Sequence, residues 1–270
     1  MTKVDYVLRL SENTRRALWG EERWVVSVHP SARSVVTNGP LAGKTLAEVL
    51  PGFSLLFKVI DARKRLSVQV HPSMLTAPLI GGEPKTEAWC MLNDGIVYAG
   101  LKPGVSVGDV ATAVSSGRFE ELLVRHEAKK GDMLLVPGGM VHAIDGCVRL
   151  YEVQQSSDTT YRLYDWRRVD ADGKPRELHV EKSLATIDYS LPAPVLGSVA
   201  ECPFFDFRQM EVCGRMDFAP HAEPVVLFAA EGPCMVNGEE LREGESALVP
   251  PSVGFTLTSA SAKVFITHCK

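Results

Sequence analysis

Short runs of large apolar residues, many of them alternating with polar residues, recur along most of the chain and are separated by turns rich in Gly, Pro and Asn. Alternation of this kind is typical of strands with one buried face, and an uninterrupted apolar run is typical of a fully buried strand. The pattern predicts strands at residues 24–28, 53–60, 95–101, 133–136 and 148–154, and a further series of strands and turns over residues 203–268. The chain is therefore expected to be mainly β.

Helical spacing is confined to a few short segments, which lie at the front of the chain and between two β blocks. Residues 11–19 predict an N-terminal helix capped by Ser11 or Asn13. Residues 45–50 predict one or two helical turns that stop at Pro51, because proline cannot continue a helix.

The clearest helical stretch covers residues 106–126. Ser106, with Asp109 three residues later, resembles a capping box, and the small residues around Gly117 are expected to divide the stretch into two helices. Residues 176–189 predict another helix, since apolar residues recur there at roughly helical spacing. The proline-rich segment 191–194 that follows is expected to be a linker.

A 14-residue pattern occurs twice without gaps, at residues 131–144 and 244–257. Both copies contain a glycine followed by an acidic residue, then three residues, Val-Pro and four further residues. The repeat indicates corresponding strand–turn–strand elements, and we interpret it as two copies of one β-barrel unit. Phe255 stands in the second copy where His142 stands in the first, so the second copy is expected to lack the chemistry of the first.

Composition and charge limit the classes of function. The 270 residues are 45% hydrophobic and 23% charged, as in ordinary globular proteins, and this excludes a disordered or fibrous chain. A net charge of −4 gives no electrostatic basis for binding nucleic acid, whereas a small phosphorylated molecule needs only a few local cations. No apolar run is long enough for a membrane span, and the first residues do not resemble a signal peptide. The six cysteines are scattered and expected to be reduced thiols, so a cytoplasmic location is predicted.

The candidate chemistry is concentrated in residues 66–91. Gln69 and His71 are two residues apart in a strand-like segment, so their side chains point to the same side, and Glu87 follows in a second apolar segment. His142 follows the turn at 136–139 and can supply a fourth ligand. Two imidazoles, a carboxylate and an amide oxygen suit zinc best, although ligand type alone leaves iron and manganese open.

Each of these residues by itself is better explained without a metal. A single His71 or His142 is more often a hydrogen-bonded core residue, and a single Glu87 is more often a surface acid. Four suitable residues on strand-like segments, with a phenylalanine at the His142 position of the second copy, reverse this judgement. The remaining histidines have no such neighbours and are interpreted as structural or exposed: His29, His126, His179, His221 and His268.

Three motifs carry a resemblance to a known family. They are Gln69-x-His71-Pro72, Lys85-Thr86-Glu87-x-Trp89 and the segment 157–166, with His142 between the second and the third. Together they resemble type I mannose-6-phosphate isomerase, also called phosphomannose isomerase. The resemblance extends over about residues 15–185 and is looser beyond them.

The resemblance implies a fold of two cupin (jelly-roll) β-barrels, in a compact form without the large helical insertion of longer members. Residues 1–190 would form an N-terminal catalytic cupin domain with helical additions, and residues 195–270 a degenerate C-terminal cupin domain without metal. It also implies one Zn²⁺ per chain, bound by four side chains: Gln69, His71, Glu87 and His142. The implied reaction is the reversible conversion of mannose 6-phosphate to fructose 6-phosphate, with Arg162 as a catalytic residue.

Aldose–ketose interconversion requires groups that stabilise an enediol or enediolate and move a proton. Zinc can act as a Lewis acid on the sugar oxygens, and Arg162 can stabilise the same negative charge. Lys85, Glu152 and a zinc-bound hydroxide are alternative proton carriers. Ser67 and Lys85 are the expected contacts of the phosphate, and this role of Lys85 competes with its role as a base.

Alternative functions remain open at the level of sequence. The loop at residues 73–84 is short and apolar where the family usually has acidic and polar residues, which favours considering an isomerase of a different phosphosugar. An iron-dependent cupin dioxygenase and a non-catalytic sugar-binding bicupin are two further hypotheses. Gln69 is a poor iron ligand and disfavours the dioxygenase.

Overall fold

The computed structural model describes residues 4–169 and 172–270. The described residues form two compact units. Unit 1 contains residues 4–15, 23–59 and 197–270, and unit 2 contains residues 16–22 and the described part of 60–196. These units differ in chain path from the expected division at residues 190–195, because residues 4–15 and 23–59 belong to the same unit as the C-terminal part of the chain. The functional division into a catalytic and a degenerate domain stays a prediction.

Strands make up most of the regular structure, as the apolar pattern predicted. The strands are β1 (Leu8–Arg9), β2 (Asn13–Ala17), β3 (Gly20–Ser27), β4 (Leu55–Ala62), β5 (Val68–Val70), β6 (Glu87–Met91), β7 (Gly95–Leu101), β8 (Leu123–Ala128), β9 (Met133–Val136), β10 (His142–Ile144), β11 (Val148–Gln155), β12 (Tyr161–Tyr164), β13 (Val199–Glu201), β14 (Phe205–Phe218), β15 (Val225–Glu231), β16 (Cys234–Val236), β17 (Glu239–Leu241), β18 (Ser246–Val249) and β19 (Phe255–Cys269). The helices are α1 (Leu46–Val49), α2 (Ala77–Ile80), α3 (Val107–Ser116) and α4 (Val180–Thr186), with short 3-10 turns at Gly39–Leu41 and Phe119–Leu122. The predicted mainly β class is confirmed.

Unit 1 contains an eight-stranded antiparallel sheet. Its main order is β1-β18-β15-β19-β14-β13, and β16 pairs with both β17 and β19. The apolar side chains on one face of this sheet pack in a core that includes Leu227, Leu257 and Ile266. Phe255 lies in this core and stacks on Phe218, with ring centroids 4.5 Å apart and planes 4° from parallel.

Unit 2 packs two groups of antiparallel strands face to face. One sheet has the order β12-β5-β10-β7-β8, and in the other β6 lies between β11 and β9. Apolar side chains from both groups share one core, with Trp89 and Leu150 on one side and Val97 and Ile144 on the other. Because successive strand residues alternate between faces, the polar side chains that share this inner face are held inside the unit.

The outer face of the five-stranded sheet is covered by α3 and α4. Val68 and Val70 of β5 pack there with Val110 of α3, and Leu184 of α4 packs against the same cluster. This second core holds β5 in place from outside while its polar residues face inward. Among the described residues, no helix is long and apolar enough to cross a membrane.

The N-terminal helix predicted at residues 11–19 is wrong, since residues 13–17 form strand β2. The apolar residues of this segment, Ala17, Leu18 and Trp19, are consecutive, so a helix would have no apolar stripe to bury. As a strand, the segment pairs with β3. The short helix expected at residues 45–50 is confirmed as α1, and Thr45 forms a capping box with Glu48.

The helix predicted from Ser106 is confirmed only as far as Ser116. Ser106 and Asp109 form the expected capping box, and Gly117 ends the helix in the left-handed region at φ +78°. The second helix expected before residue 126 is wrong: a 3-10 turn is followed by β8, which pairs with β7. The helix expected at residues 176–189 is shorter than predicted, because α4 begins at Val180.

The internal repeat corresponds to matching structure. Strands β9 and β10 occur at the same offset, 113 residues, from β18 and the start of β19. In each copy the acidic residue caps the preceding turn: the Asp132 carboxylate accepts from the Lys129 amide at 2.7 Å, and the Glu245 carboxylate accepts from the Arg242 amide at 2.9 Å. The predicted correspondence of strand–turn–strand elements is confirmed, whereas the number of barrels stays a prediction.

Candidate metal centre

Three side chains that the sequence singled out as ligands meet inside unit 2. One potential ligand atom from each of His71, Glu87 and His142 lies within 4.8 Å of the others, and all three residues are buried. Buried carboxylate and imidazole groups at this spacing are suited to a divalent metal ion. The cluster is the candidate functional site.

The register of the five-stranded sheet places Gln69, His142 and Arg162 on one face. Gln69 of β5 is directly opposite His142 of β10 and also opposite Arg162 of β12. Residues directly opposite each other in antiparallel strands point to the same face, so a row of three functional side chains crosses the sheet. His71 follows two residues after Gln69, just beyond the end of β5.

Glu87 comes from the other group of strands. It is the first residue of β6 and pairs with Gln154 of β11 on one side and with Val136 of β9 on the other. The tight turn after Val136 brings the chain back to His71, since the Gly139 amide donates to the His71 carbonyl at 2.8 Å. The metal cluster is thus assembled across the core of unit 2.

Backbone carbonyls orient both imidazoles. Nδ1 of His71 lies 2.8 Å from the Thr159 carbonyl oxygen, and Nδ1 of His142 lies 2.9 Å from the Met140 carbonyl oxygen. A carbonyl can only accept, so each Nδ1 carries the proton and each Nε2 is left with its lone pair. Both Nε2 atoms lie 3.3 Å from an oxygen of Glu87. Such outer hydrogen bonds are the usual support of metal-binding histidines.

The electrostatics of the cluster favour the protonation states that bind metal. Burial, and next the charge of Lys85, lower the pKa of His71 to about 3. Burial also lowers the pKa of His142. For Glu87, burial acts in the opposite direction, but the Lys85 ammonium and the two imidazoles outweigh it and hold the pKa well below its usual value. Neutral imidazoles and an ionised carboxylate are therefore present at neutral pH.

Two more of the predicted site residues contact the cluster. Nζ of the buried Lys85 lies 2.6 Å from Oε2 of Glu87 and 3.0 Å from Nε2 of His71. The amide nitrogen of Gln69 lies 3.2 Å from Nε2 of His142. Rotating the Gln69 amide by half a turn would place its oxygen at the same position, where it would be a fourth ligand atom.

Glu152 lies beside the cluster on the same inner face. It is buried opposite Trp89, and its Oε1 accepts a hydrogen bond from the Trp89 indole nitrogen at 3.1 Å. The Trp89 ring in turn packs edge-on against His142, with centroids 5.5 Å apart. Trp89 thereby connects a candidate proton carrier to a candidate ligand.

Arg162 and Ser67 are placed less directly. Arg162 Nη1 donates to the Glu177 carbonyl at 2.8 Å, and in the part of the chain that the structure describes its guanidinium forms no ion pair with a carboxylate. Ser67 is buried two residues before Gln69. No hydrogen bond between described side chains connects either residue to the metal cluster, so their predicted roles depend on a substrate that spans the distance.

Sequence reasoning assigned no role to two residues that lie at the site or support it. Gln154, two residues after Glu152 on β11, shares its inward face, and the period-2 pattern of a strand could have identified it. His179 was interpreted as structural or exposed, but its Nδ1 accepts from the Arg162 amide at 3.1 Å and its own amide donates to the Arg162 carbonyl at 2.7 Å. No local pattern indicates this contact, since residues 162 and 179 belong to separate segments.

Comparison with known proteins agrees with this geometry. Residues 15–88 match a family model described as phosphomannose isomerase type I, catalytic domain. The chain is 33% identical to the mannose-6-phosphate isomerase ManA of Bacillus subtilis over 92% of its own length and 89% of that protein. The chain belongs to the mannose-6-phosphate isomerase family. The family relationship predicted from the three motifs is therefore confirmed.

Further members of the family give the same result. The mannose-6-phosphate isomerase of Streptococcus mutans is 31% identical, over 92% of this chain and 88% of that protein. The crystal structure of the mannose 6-phosphate isomerase from Bacillus subtilis superposes with a TM-score of 0.87 at 26% identity, covering 97% of this chain and 99% of the other. The chain accordingly has the cupin fold of this family.

Proposed function

We propose that this chain is a zinc-dependent aldose–ketose isomerase that interconverts mannose 6-phosphate and fructose 6-phosphate through an enediol or enediolate. One zinc ion per chain would be bound by four side chains: Gln69, His71, Glu87 and His142. The observation that carries the proposal is the buried cluster in which two Nε2 atoms face one ionised carboxylate. The relatives, named as mannose-6-phosphate isomerases, supply the choice of substrate.

The donor set supports zinc. Zn²⁺ accepts imidazole nitrogen and carboxylate oxygen together, and a catalytic site keeps a position open for water or substrate. Oε2 of the buried Glu87 contacts the Lys85 ammonium, but Oε1 has no hydrogen-bond donor among the described residues, so a bound cation would satisfy it. Gln69 fits as the amide ligand because it lies opposite His142 in the sheet.

We further propose that the metal is confined to the first copy of the internal repeat. Phe255 occupies the position of His142 in the second copy, and the residue opposite it is Phe218. Two stacked phenyl rings offer no ligand atom. This supports a division into a catalytic part, residues 1–190, and a degenerate part without metal, residues 195–270.

A zinc ion bound at the cluster would supply a Lewis acid to the C1 and C2 oxygens of the sugar. Arg162 would stabilise the same developing negative charge from the adjacent strand. It is suited to this role because its side chain starts on the face of Gln69 and its cation is not neutralised by a carboxylate in the described chain. A positioned donor of this kind is worth about 10²–10³ in rate.

Two side chains are candidates for moving the proton between C1 and C2. The Lys85 ammonium forms an ion pair with Glu87, so it is a donor and cannot accept a proton in that form. Glu152 is a carboxylate inside the same core and can accept one. We therefore assign Glu152 as the base. Lys85, together with Ser67 and Arg162, would bind the anionic groups of the substrate.

The proposal is tested by assaying purified protein with mannose 6-phosphate for formation of fructose 6-phosphate, together with elemental analysis. We expect one zinc per chain and a loss of turnover on chelation that added zinc reverses. His142→Ala should lose both zinc and activity, whereas Arg162→Ala should keep zinc and lose about 10²–10³ in kcat. His126→Ala is the matched control, since this histidine contacts the Ala99 carbonyl and is not part of the cluster.

The outcomes separate the alternatives. One iron per chain and no isomerisation would support a cupin dioxygenase. Sugar phosphate binding that Arg162→Ala leaves unchanged, without turnover, would support a non-catalytic binding protein.

A second substrate is considered because of one feature of the surface. Leu75 and Leu79, in the loop between His71 and Lys85, are each 82% exposed. They lie four residues apart, Leu79 within the short helix α2, and add apolar area to a loop between two site residues. This favours a test of further aldose 6-phosphates beside mannose 6-phosphate. A higher kcat/KM for one of them would identify the chain as an isomerase of a different phosphosugar.

A further inference from the structure

Gln154 carries a buried polar group for which the metal site and the proposed reaction have no use so far. Its side chain is completely buried, on strand β11 and directly opposite Glu87. Because opposed residues in antiparallel strands share a face, the Gln154 amide points into the same interior as the Glu87 carboxylate. It therefore lies next to the candidate metal cluster.

Two hydrogen bonds fix the direction of this amide. Its nitrogen donates to the Gln155 carbonyl at 2.8 Å and to the Ser157 carbonyl at 2.7 Å. Both partners can only accept, so the NH₂ group must face them and the oxygen must face away. The orientation of the Gln154 amide is thus determined by its surroundings.

The oxygen of the same amide has no hydrogen-bond partner among the described residues, although it is buried. Buried acceptors in native proteins are nearly always satisfied by a donor. The side chains around it do not supply one. Glu87 and Glu152 offer acceptor oxygens, and Lys85 Nζ, which lies 2.6 Å from Oε2 of Glu87, forms no hydrogen bond with Gln154. A donor from outside the chain is therefore expected.

The surroundings also select the kind of donor. Glu152 precedes Gln154 by two residues on the same face, and Glu87 lies opposite, so two carboxylates disfavour a phosphate or another anion at this position. A neutral O–H group is a suitable partner for an amide oxygen. We propose that Gln154 is a substrate-binding residue whose Oε1 accepts a hydrogen bond from a hydroxyl group of a polyhydroxylated ligand. The inference rests on the proposed function for the choice of a 6-phosphorylated hexose as that ligand.

Gln154→Met removes the acceptor oxygen and also the two N–H donors that hold the loop at residues 155–157, at a similar side-chain length. We expect it to lower kcat/KM for mannose 6-phosphate by about 10- to 100-fold, because a buried hydroxyl group of the substrate is left without its acceptor. A role in loop support alone would lower kcat/KM for the parent sugar and for every deoxy analogue by the same factor, and that result would overturn the proposal.

Analogues that lack one hydroxyl group identify the partner. In the wild-type protein, either 3-deoxy- or 4-deoxymannose 6-phosphate should lose about as much kcat/KM as Gln154→Met loses on the parent sugar. On that analogue, Gln154→Met should cause less than about a threefold further loss, because the hydrogen bond is already absent. If the losses multiply for both analogues, no hydroxyl group at these positions contacts Gln154 and the proposal is wrong.

Binding measurements keep this test separate from the test of the isomerase. Mannitol 6-phosphate has hydroxyl groups but no carbonyl group, so it can bind and cannot be isomerised. Calorimetric titration should show a Kd for Gln154→Met about 10- to 100-fold above that of the wild type, with equal zinc content and melting temperature checked in both. An unchanged Kd would overturn the role of Gln154 whatever the turnover assay shows. Weakened binding in a protein without turnover would instead refute only the isomerase.

Discussion

Replacing His179 with alanine removes the side chain whose Nδ1 accepts the hydrogen bond of the Arg162 amide. Two further contacts with this segment remain: the His179 amide still donates to the Arg162 carbonyl, and Arg162 Nη1 still donates to the Glu177 carbonyl. The variant therefore loosens one of three contacts that position the guanidinium. It leaves the metal ligands unchanged.

The expected size of the effect follows from this count. One neutral hydrogen bond contributes about 1 kcal/mol, which corresponds to about fivefold in rate if the whole amount is lost in the transition state. The upper limit is the full contribution of a positioned cation, about 10²–10³. We therefore expect His179→Ala to lower kcat about 5- to 10-fold with little change in KM, and to leave the zinc content unchanged.

A double-mutant cycle with Arg162 provides the decisive assay. If His179 acts by positioning Arg162, then His179→Ala causes no further loss of kcat/KM in an Arg162→Ala background. His179→Asn should restore part of the rate, because its amide oxygen can accept from the same backbone N–H group. Equal losses in both backgrounds, or no loss in the wild type, would refute the positioning role. An inactive wild type would refute the isomerase instead.

Two further predictions concern the supports of the site. Gly138→Ala places a Cβ 2.5 Å from the Pro72 carbonyl oxygen and 2.7 Å from Ser73 Cα, and backbone cannot yield as a side chain can. The turn beside His71 must then shift. We expect the zinc affinity, measured by competitive chelator titration, to fall at least about tenfold and the free energy of unfolding to fall by about 1–3 kcal/mol. An unchanged zinc affinity would contradict this prediction. The Asp165→Asn variant removes a buried carboxylate that accepts from Arg176 at 2.6 Å and 2.8 Å and also from Arg168. Burial alone raises the pKa of Asp165, but the two guanidinium groups outweigh it and lower the pKa. Above pH 4 the wild type should therefore exceed the variant in the free energy of unfolding by about 2 kcal/mol. This advantage is lost as the pH falls through the pKa of Asp165 in the folded state. Denaturant unfolding at pH 7 and at pH 3 tests this, and a difference independent of pH would refute it.

The candidate metal cluster was predictable because its signals lie in short motifs and in the internal repeat. Gln69 and His71 are separated by the strand period, and the gapless repeat led to His142 by comparison with Phe255. The motif Lys85-Thr86-Glu87 belongs to the family resemblance. Apolar alternation located most strands because burial of one face fixes a period of two. The same period puts Gln154 on the face of Glu152, whereas its pairing with Glu87 depends on the register between β11 and β6.

The supports of Arg162 could not be found in this way. The sequence of residues 176–179 fits the apolar spacing of a helix. In the structure, however, the backbone amide of His179 donates to the Arg162 carbonyl on β12. Arg176 donates to the Asp165 carboxylate through Nε and Nη2, and α4 begins only at Val180. Contacts between residues 11 to 17 positions apart outweigh the local helix propensity here, and a local sequence pattern does not reveal such contacts.

The stacked pair Phe218–Phe255 has a consequence for how the two copies of the repeat respond to their surroundings. At the corresponding position, His142 and Glu87 belong to the proposed metal site, and a cation bound there would stabilise that copy by ligand linkage. The aromatic pair stabilises its copy through packing, and this contribution does not depend on the metal concentration. The two copies of the turn would thus be stabilised in different ways, one by a bound cation and the other by aromatic packing. If the cluster binds zinc as proposed, depletion of metal would destabilise the first copy and leave the second unchanged.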